Sequence, residues 1–64
     1  MTIKERRLHA GLTQTDVAVH LDINQSTVSR WEKGETKPVR KYRARLAELY
    51  NCTVDELLDS LAHE

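Results

Sequence analysis

The chain has 64 residues, 39% of them hydrophobic, and its ten Lys and Arg balance ten Asp and Glu, for a formal net charge of +0. That length holds one domain and not two, and a domain this small buries roughly 60% of its unfolded surface. No apolar run could cross a membrane, the opening MTIKERRLHA lacks a secretory signal's apolar segment, and a lone Cys52 excludes an internal disulfide, so a cytoplasmic protein is expected.

Helix boundaries are legible from their caps. Thr2 and Glu5 have capping-box spacing, so a first helix runs to about Ala10 and stops at Gly11. Thr13 and Asp16 repeat the spacing for a second helix, with Asp shorter than the usual Glu. Asp22 falls where the following turn calls for a left-handed residue, a conformation that Asp tolerates better than most. Asn24 caps a third helix that runs to about Glu32 before Gly34. Pro38 falls in the first turn of a fourth helix ending near Tyr50. Thr53 and Glu56 form a capping box for a fifth helix reaching about Ala62. No stretch alternates with strand periodicity, so the fold is all-α.

One core absorbs the apolar positions. Val17, Ala18 and Leu21 share a face of the second helix, and Ile23 plugs the turn. Val28 and Trp31 share a face of the third. Val39, Tyr42, Leu46, Leu49 and Tyr50 make a helical stripe, joined by Val54, Leu57, Leu58 and Leu61. Ile3 and Ala10 face inward from the first helix. Trp31 and Tyr50 therefore read as core and not as stacking platforms, and Cys52 as a small buried apolar residue.

The neutral total hides an asymmetry. Residues 25–45 hold seven basic residues against Glu32 and Glu35, a net +5, while residues 46–64 hold five acids and no Lys or Arg. One half is thus suited to a polyanion. Residues 12–34 read as two short helices joined by a tight turn, the arrangement that places a helix in the DNA major groove. At about 100° per residue, Gln25, Ser29, Lys33, Ser26 and Arg30 follow one another within an arc of about 140°, opposite Val28 and Trp31. That arc contains no acid. Gln25 can pair bidentately with adenine and Arg30 with guanine. Ser26 and Ser29 can bond either kind of base pair, and Thr27 can offer its methyl to thymine. Gln14 at the start of the second helix, with Lys33, Lys37 and Arg40, suits the flanking phosphates. Lys41, Arg43 and Arg45 cannot all face the same ligand from one helix.

Other chemistries find no support. His9, His20 and His63 lack metal-ligand spacing with each other or with Cys52, so no metal or other cofactor is expected. No serine is set with a histidine and an acid for catalysis, and no glycine-rich phosphate loop is present, so the chain does not read as an enzyme.

The run GLTQTDVAVHLDINQSTVSRWEKGETKP resembles the Cro/C1-type, lambda-repressor-like helix-turn-helix family. The likeness rests on the Thr-Gln opening the second helix, the Ala four residues on, the Ile of the turn and the Trp-Glu-x-Gly closing the third helix. The runs Leu46-Ala47-Glu48-Leu49 and Val54-Asp55-Glu56-Leu57 extend it, so that it covers about Ile3 to Leu58. The resemblance implies a compact five-helix domain that binds operator DNA as a symmetric dimer. It implies Gln14 on a phosphate and against Gln25, with Gln25, Ser26 and Arg30 at base edges and Thr27 and Ser29 as lesser candidates. It also implies an ion pair between Arg7 and Glu32, a guanidinium fork on a carboxylate. Asp22 and Asn51 stand where this family often has Gly, and Arg6 where Leu is common.

The expectation is a sequence-specific DNA-binding regulator, a repressor on a palindromic operator, from a bacterium, a phage or a mobile element. One short reading helix spans few base pairs, so a homodimer on two half-sites about 34 Å apart is expected. Its surface would draw on Leu57, Leu58, Leu61 and His63, unless Leu57 and Leu61 complete the core or a further domain of a longer chain oligomerises. The alternative is a protein-binding regulatory module of the same fold, an antitoxin or adaptor, favoured by the acidic residues 46–64.

Overall fold

The computed structural model describes residues 1–62. It contains five helices: α1 (Ile3–His9), α2 (Gln14–Leu21), α3 (Gln25–Lys33), α4 (Arg40–Leu49) and α5 (Val54–Ala62). Three of them start on a reciprocal capping box. In α1, Thr2 N donates to Glu5 Oε1 at 2.7 Å and Glu5 N to Thr2 Oγ1 at 3.2 Å. Thr13 with Asp16 and Thr53 with Glu56 repeat the motif. Each carboxylate is held below its ordinary pKa, first by the threonine backbone N–H and then by the hydroxyl.

The helix ends share one device. Gly11, Asp22, Gly34 and Asn51 all have positive φ, at 75°, 57°, 77° and 54°. After each, the next residue's N–H reaches back five residues to a carbonyl of the closing turn. These bonds are Leu12 N to Arg7 O, Ile23 N to Ala18 O, Glu35 N to Arg30 O and Cys52 N to Ala47 O, at 3.0–3.2 Å. This is the Schellman closure, and it satisfies carbonyls that a helix end leaves orphaned. Asp22 thus occupies the left-handed position expected of it, and Asn51 does the same after α4.

Two local expectations are corrected. Asn24 stands at the N-cap of α3, but its side chain makes no capping bond. Pro38 is buried but lies outside α4, because Val39, at φ −68° and ψ 160°, is extended and becomes the N-cap. The Pro38 carbonyl is taken instead by Arg43 Nε at 3.2 Å.

The core comprises Ile3, Val17, Ala18, Leu21, Val28, Trp31, Leu46, Ala47, Tyr50, Leu57 and Leu61, with Leu12, Ile23, Tyr42, Leu49 and Cys52 packed against it. Val39 and Val54 sit at the openings of their helices and face outward, contrary to the stripe reading, as does Leu58. Ala10 is only half-buried, and Ala47 takes an inward place that the stripe omitted. Arg6 donates from Nε to Ser60 Oγ at 2.5 Å, and Ser60 is buried. Arg6 thus ties α1 to α5 through a polar contact. α3 packs on α2 and α1, whereas the acidic α5 packs on α4 and α1. Among the described residues no helix is long and apolar enough to cross a membrane.

Candidate nucleic-acid interface

The site is built outward from Arg7, whose side chain is only 8% exposed on α1. Its Nε donates to Glu32 Oε2 at 2.6 Å, its Nη2 to Glu32 Oε1 at 3.2 Å, and its Nη1 to the Leu12 carbonyl at 2.8 Å. The fork therefore holds both a carboxylate and the loop leading into α2. Hydrogen bonding to Glu32 raises the Arg7 pKa, against an opposing effect of burial. Glu32 lies in the last turn of α3, where an acid is disfavoured by the helix dipole. Its side chain is 5% exposed, and Arg7 supplies the compensating charge.

From Glu32 the contacts continue to the surface. Gln14 Nε2, on the first residue of α2, donates to Glu32 Oε1 at 2.9 Å. Gln25 Nε2, on the first residue of α3, donates to Gln14 Oε1. Gln25 and Glu32 are seven residues apart, hence on one side of α3, and Gln14 bridges them. A chain of hydrogen bonds thus runs from Arg7 to the outer edge of α3. The structure brings together Arg7, Glu32, Gln14 and Gln25. The Gln14–Glu32 link was not foreseen; eighteen residues separate the two, and only the packing of α2 on α3 makes them neighbours.

The remaining residues of the polar arc stay outward. Gln25, Ser26 and Arg30 are exposed, Thr27 and Ser29 are half-buried, and Val28 and Trp31 face the core. Lys33 ends the helix, Lys37 lies on the connection that follows, and Arg40 opens α4; all three are exposed. None of the three shares a hydrogen bond with the arc among the described residues.

The other basic residues of this region are committed elsewhere. Arg45 Nη2 donates to the His20 carbonyl at 2.8 Å, completing the last turn of α2, and Arg43 holds Pro38. Lys41 Nζ lies 5.0 Å from the centroid of the Tyr42 ring, which itself packs 6.0 Å from Trp31. Of seven cations, four are left for an anionic partner: Arg30, Lys33, Lys37 and Arg40. The Arg43 and Lys41 partners are local, whereas the Arg45 partner, 25 residues away, depends on how α4 lies against α2.

Of the leucines expected at a dimer surface, Leu57 and Leu61 are 0% and 4% exposed and close the core. Leu58, at 37%, is the one left open, and His63 lies outside the described residues. Burial raises the Cys52 thiol pKa, so this half-buried cysteine is not an activated nucleophile. Among the described residues no group of three or more His, Cys, Asp or Glu is placed to hold a metal ion.

Two helices joined by a left-handed turn, with an outward polar helix pinned at both ends, make this a helix-turn-helix domain. Residues 3–57 match the family described as Helix-turn-helix, and the chain belongs to that family, of the Cro/C1 type. It is also similar to the HTH-type transcriptional regulator ImmR of Bacillus subtilis (strain 168), at 36% identity over 56 residues. That alignment covers 88% of this chain and 44% of the relative, so the chain spans less than half the length of the curated relative it matches. No solved structure matches.

Proposed function

We propose that this domain is a sequence-specific DNA-binding regulator of transcription, without enzymatic activity, that lays α3 in the major groove. The observation that carries the reading is the acid-free outer arc of α3, set beside exposed Lys33, Lys37 and Arg40. Gln25 and Arg30 have the donor and acceptor patterns of adenine and guanine readers, while Ser26, Ser29 and Thr27 supply shorter contacts. Gln14 and the three cations contact the flanking phosphates and fix the register. The likeness to a transcriptional regulator supports the same role. The finer form of the proposal is a repressor acting as a homodimer on a palindromic operator, since one α3 of nine residues covers too few base pairs for useful specificity. Leu58 and Val54, both open on α5, are apolar residues of that helix available to such an interface.

The test is the salt dependence of affinity for mixed-sequence duplex DNA. Three phosphate-bound cations per monomer predict a log–log slope of about −2.7, or roughly 40-fold weaker binding per monomer between 50 and 200 mM salt. A flat response, or no binding to any duplex, would defeat the proposal. It would favour instead a protein-docking module of the antitoxin or adaptor kind, for which the acidic α5 is the feature on offer.

A further inference from the structure

We infer that Glu32, which cannot reach DNA through its buried contacts, sets which base Gln25 reads. The inference rests on the DNA-reading role proposed above, and it follows from the direction of each hydrogen bond. An ionised carboxylate can only accept, whereas a glutamine amide has one accepting and one donating end. Glu32 Oε1 accepts from Arg7 Nη2 and from Gln14 Nε2. Gln14 is thereby forced to turn its nitrogen inward and its Oε1 outward. The exposed Gln25 amide must then offer Nε2 to that oxygen. What remains free on Gln25 is the accepting Oε1 and the second N–H of Nε2. One acceptor beside one donor is the complement of adenine in the major groove, whose N6 amine donates and whose N7 accepts.

The opposite polarity would present a different face. If Gln14 turned its nitrogen outward, Gln25 would turn Oε1 toward it, and the accepting and donating ends that Gln25 shows the base would exchange places. With the ends exchanged, Nε2 would meet the adenine N6 amine and Oε1 would meet N7, so the match to adenine would be lost. Arg7 contributes by orienting Glu32 from two sides, while sharing no hydrogen bond with Gln14 or Gln25 among the described residues. Glu32 and Arg7 are therefore positioning residues, and Gln14 is the element that transmits their direction.

The informative substitution is Glu32→Gln. The new amide keeps its oxygen for the shorter Arg7 Nε contact and places its nitrogen where Oε1 now faces Gln14. A donor in that place reverses Gln14 and then Gln25. The test uses the full chain and the duplex recovered by selection from a random library, prepared with each of the four base pairs at the position facing Gln25. The native protein should prefer adenine there by about tenfold or more. Glu32→Gln should lose that preference, leaving discrimination at the Arg30 position unchanged. Gln14→Met, which cuts the relay and spares the ion pair, should also lose the adenine preference, so a poorly folded Glu32 variant does not block the test. An undiminished adenine preference in either variant overturns the inference.

A second readout needs no DNA. In nitrogen-15 spectra of the free protein, the Gln14 side-chain amide proton that Glu32 accepts should exchange slowly. Fast exchange of both Gln14 side-chain amide protons in the native protein would overturn the relay. Failure of the native protein to recover any duplex would instead overturn the DNA reading, with the amide spectra still deciding the relay.

Discussion

Removing Arg7 should cost this domain a large share of its stability. Truncation to Ala leaves the Glu32 carboxylate, 5% exposed, with Gln14 Nε2 as its remaining donor. It also strips the Leu12 carbonyl of the N–H it receives at 2.8 Å. Breaking a buried pair in this way costs about 3–5 kcal/mol, because the partner charge stays desolvated. The whole domain, at the usual per-residue stability, has about 3–10 kcal/mol to lose. Arg7→Ala should therefore be marginally folded, and Glu32→Ala similarly affected. Replacing both residues by Met removes both charges and should recover most of the loss. Urea denaturation followed by helical circular dichroism reads the effect directly. With a slope of about 1 kcal/mol per molar, a 3 kcal/mol loss moves the midpoint by about 3 M. The double-mutant cycle should give a coupling of about 2 kcal/mol or more. Single variants that each cost under about 1 kcal/mol and add without coupling would refute the account of Arg7 as the buried anchor of the site.

Three further outcomes follow from particular residues. Tyr50 is buried and its hydroxyl has no hydrogen-bond partner among the described residues, so Tyr50→Phe should be neutral or raise stability by about 1 kcal/mol in thermal melts. Burial, then the Glu32 charge, raises the Tyr50 pKa above the ordinary 10.0. The unfolded phenol ionises from pH 10 upward while the folded one keeps its proton. Stability should accordingly fall as pH rises above 10, and Tyr50→Phe should flatten that fall. Asp22 holds a left-handed conformation at φ 57°, so Asp22→Gly should stabilise by about 0.5–1 kcal/mol in chemical denaturation, a gain that Asp22→Ala should not give. In DNA titrations, Arg30→Ala should cost about 1–3 kcal/mol on the best site and relax one base pair, whereas Lys37→Ala should weaken all duplexes alike and lower the salt slope by about 0.9.

What could be read ahead of the structure was what short segments decide for themselves. A threonine three residues before an acid closes a capping box within one turn, and all three such pairs form. A glycine, or an Asp or Asn in its place, answers to local backbone sterics, so Asp22 could be placed from its position alone. The polar arc of α3 followed from helical periodicity. Pro38 shows where local reasoning stops: a proline fits a first helical turn, yet the extended Val39 after it moves the helix start to Arg40. The long-range polar contacts were out of reach. Arg6 to Ser60, Arg45 to the His20 carbonyl and Gln14 to Glu32 join residues 54, 25 and 18 positions apart, and composition ranks none of them above its competitors. These contacts decide which cations remain available and how Gln25 is held. Leu57 and Leu61 make the same point, since one apolar stripe on α5 fits a core or an interface equally well until α1 and α4 are seen to cover it.

Selection from a random duplex library by the full chain tests most directly whether the outer face of α3 reads base sequence. Recovered duplexes should share a short motif with adenine opposite Gln25 and guanine opposite Arg30, repeated in inverted orientation about 34 Å apart if the domain works as a symmetric pair. Recovery of no common motif, with Arg30→Ala and native protein retaining the same unselective pool, would contradict it.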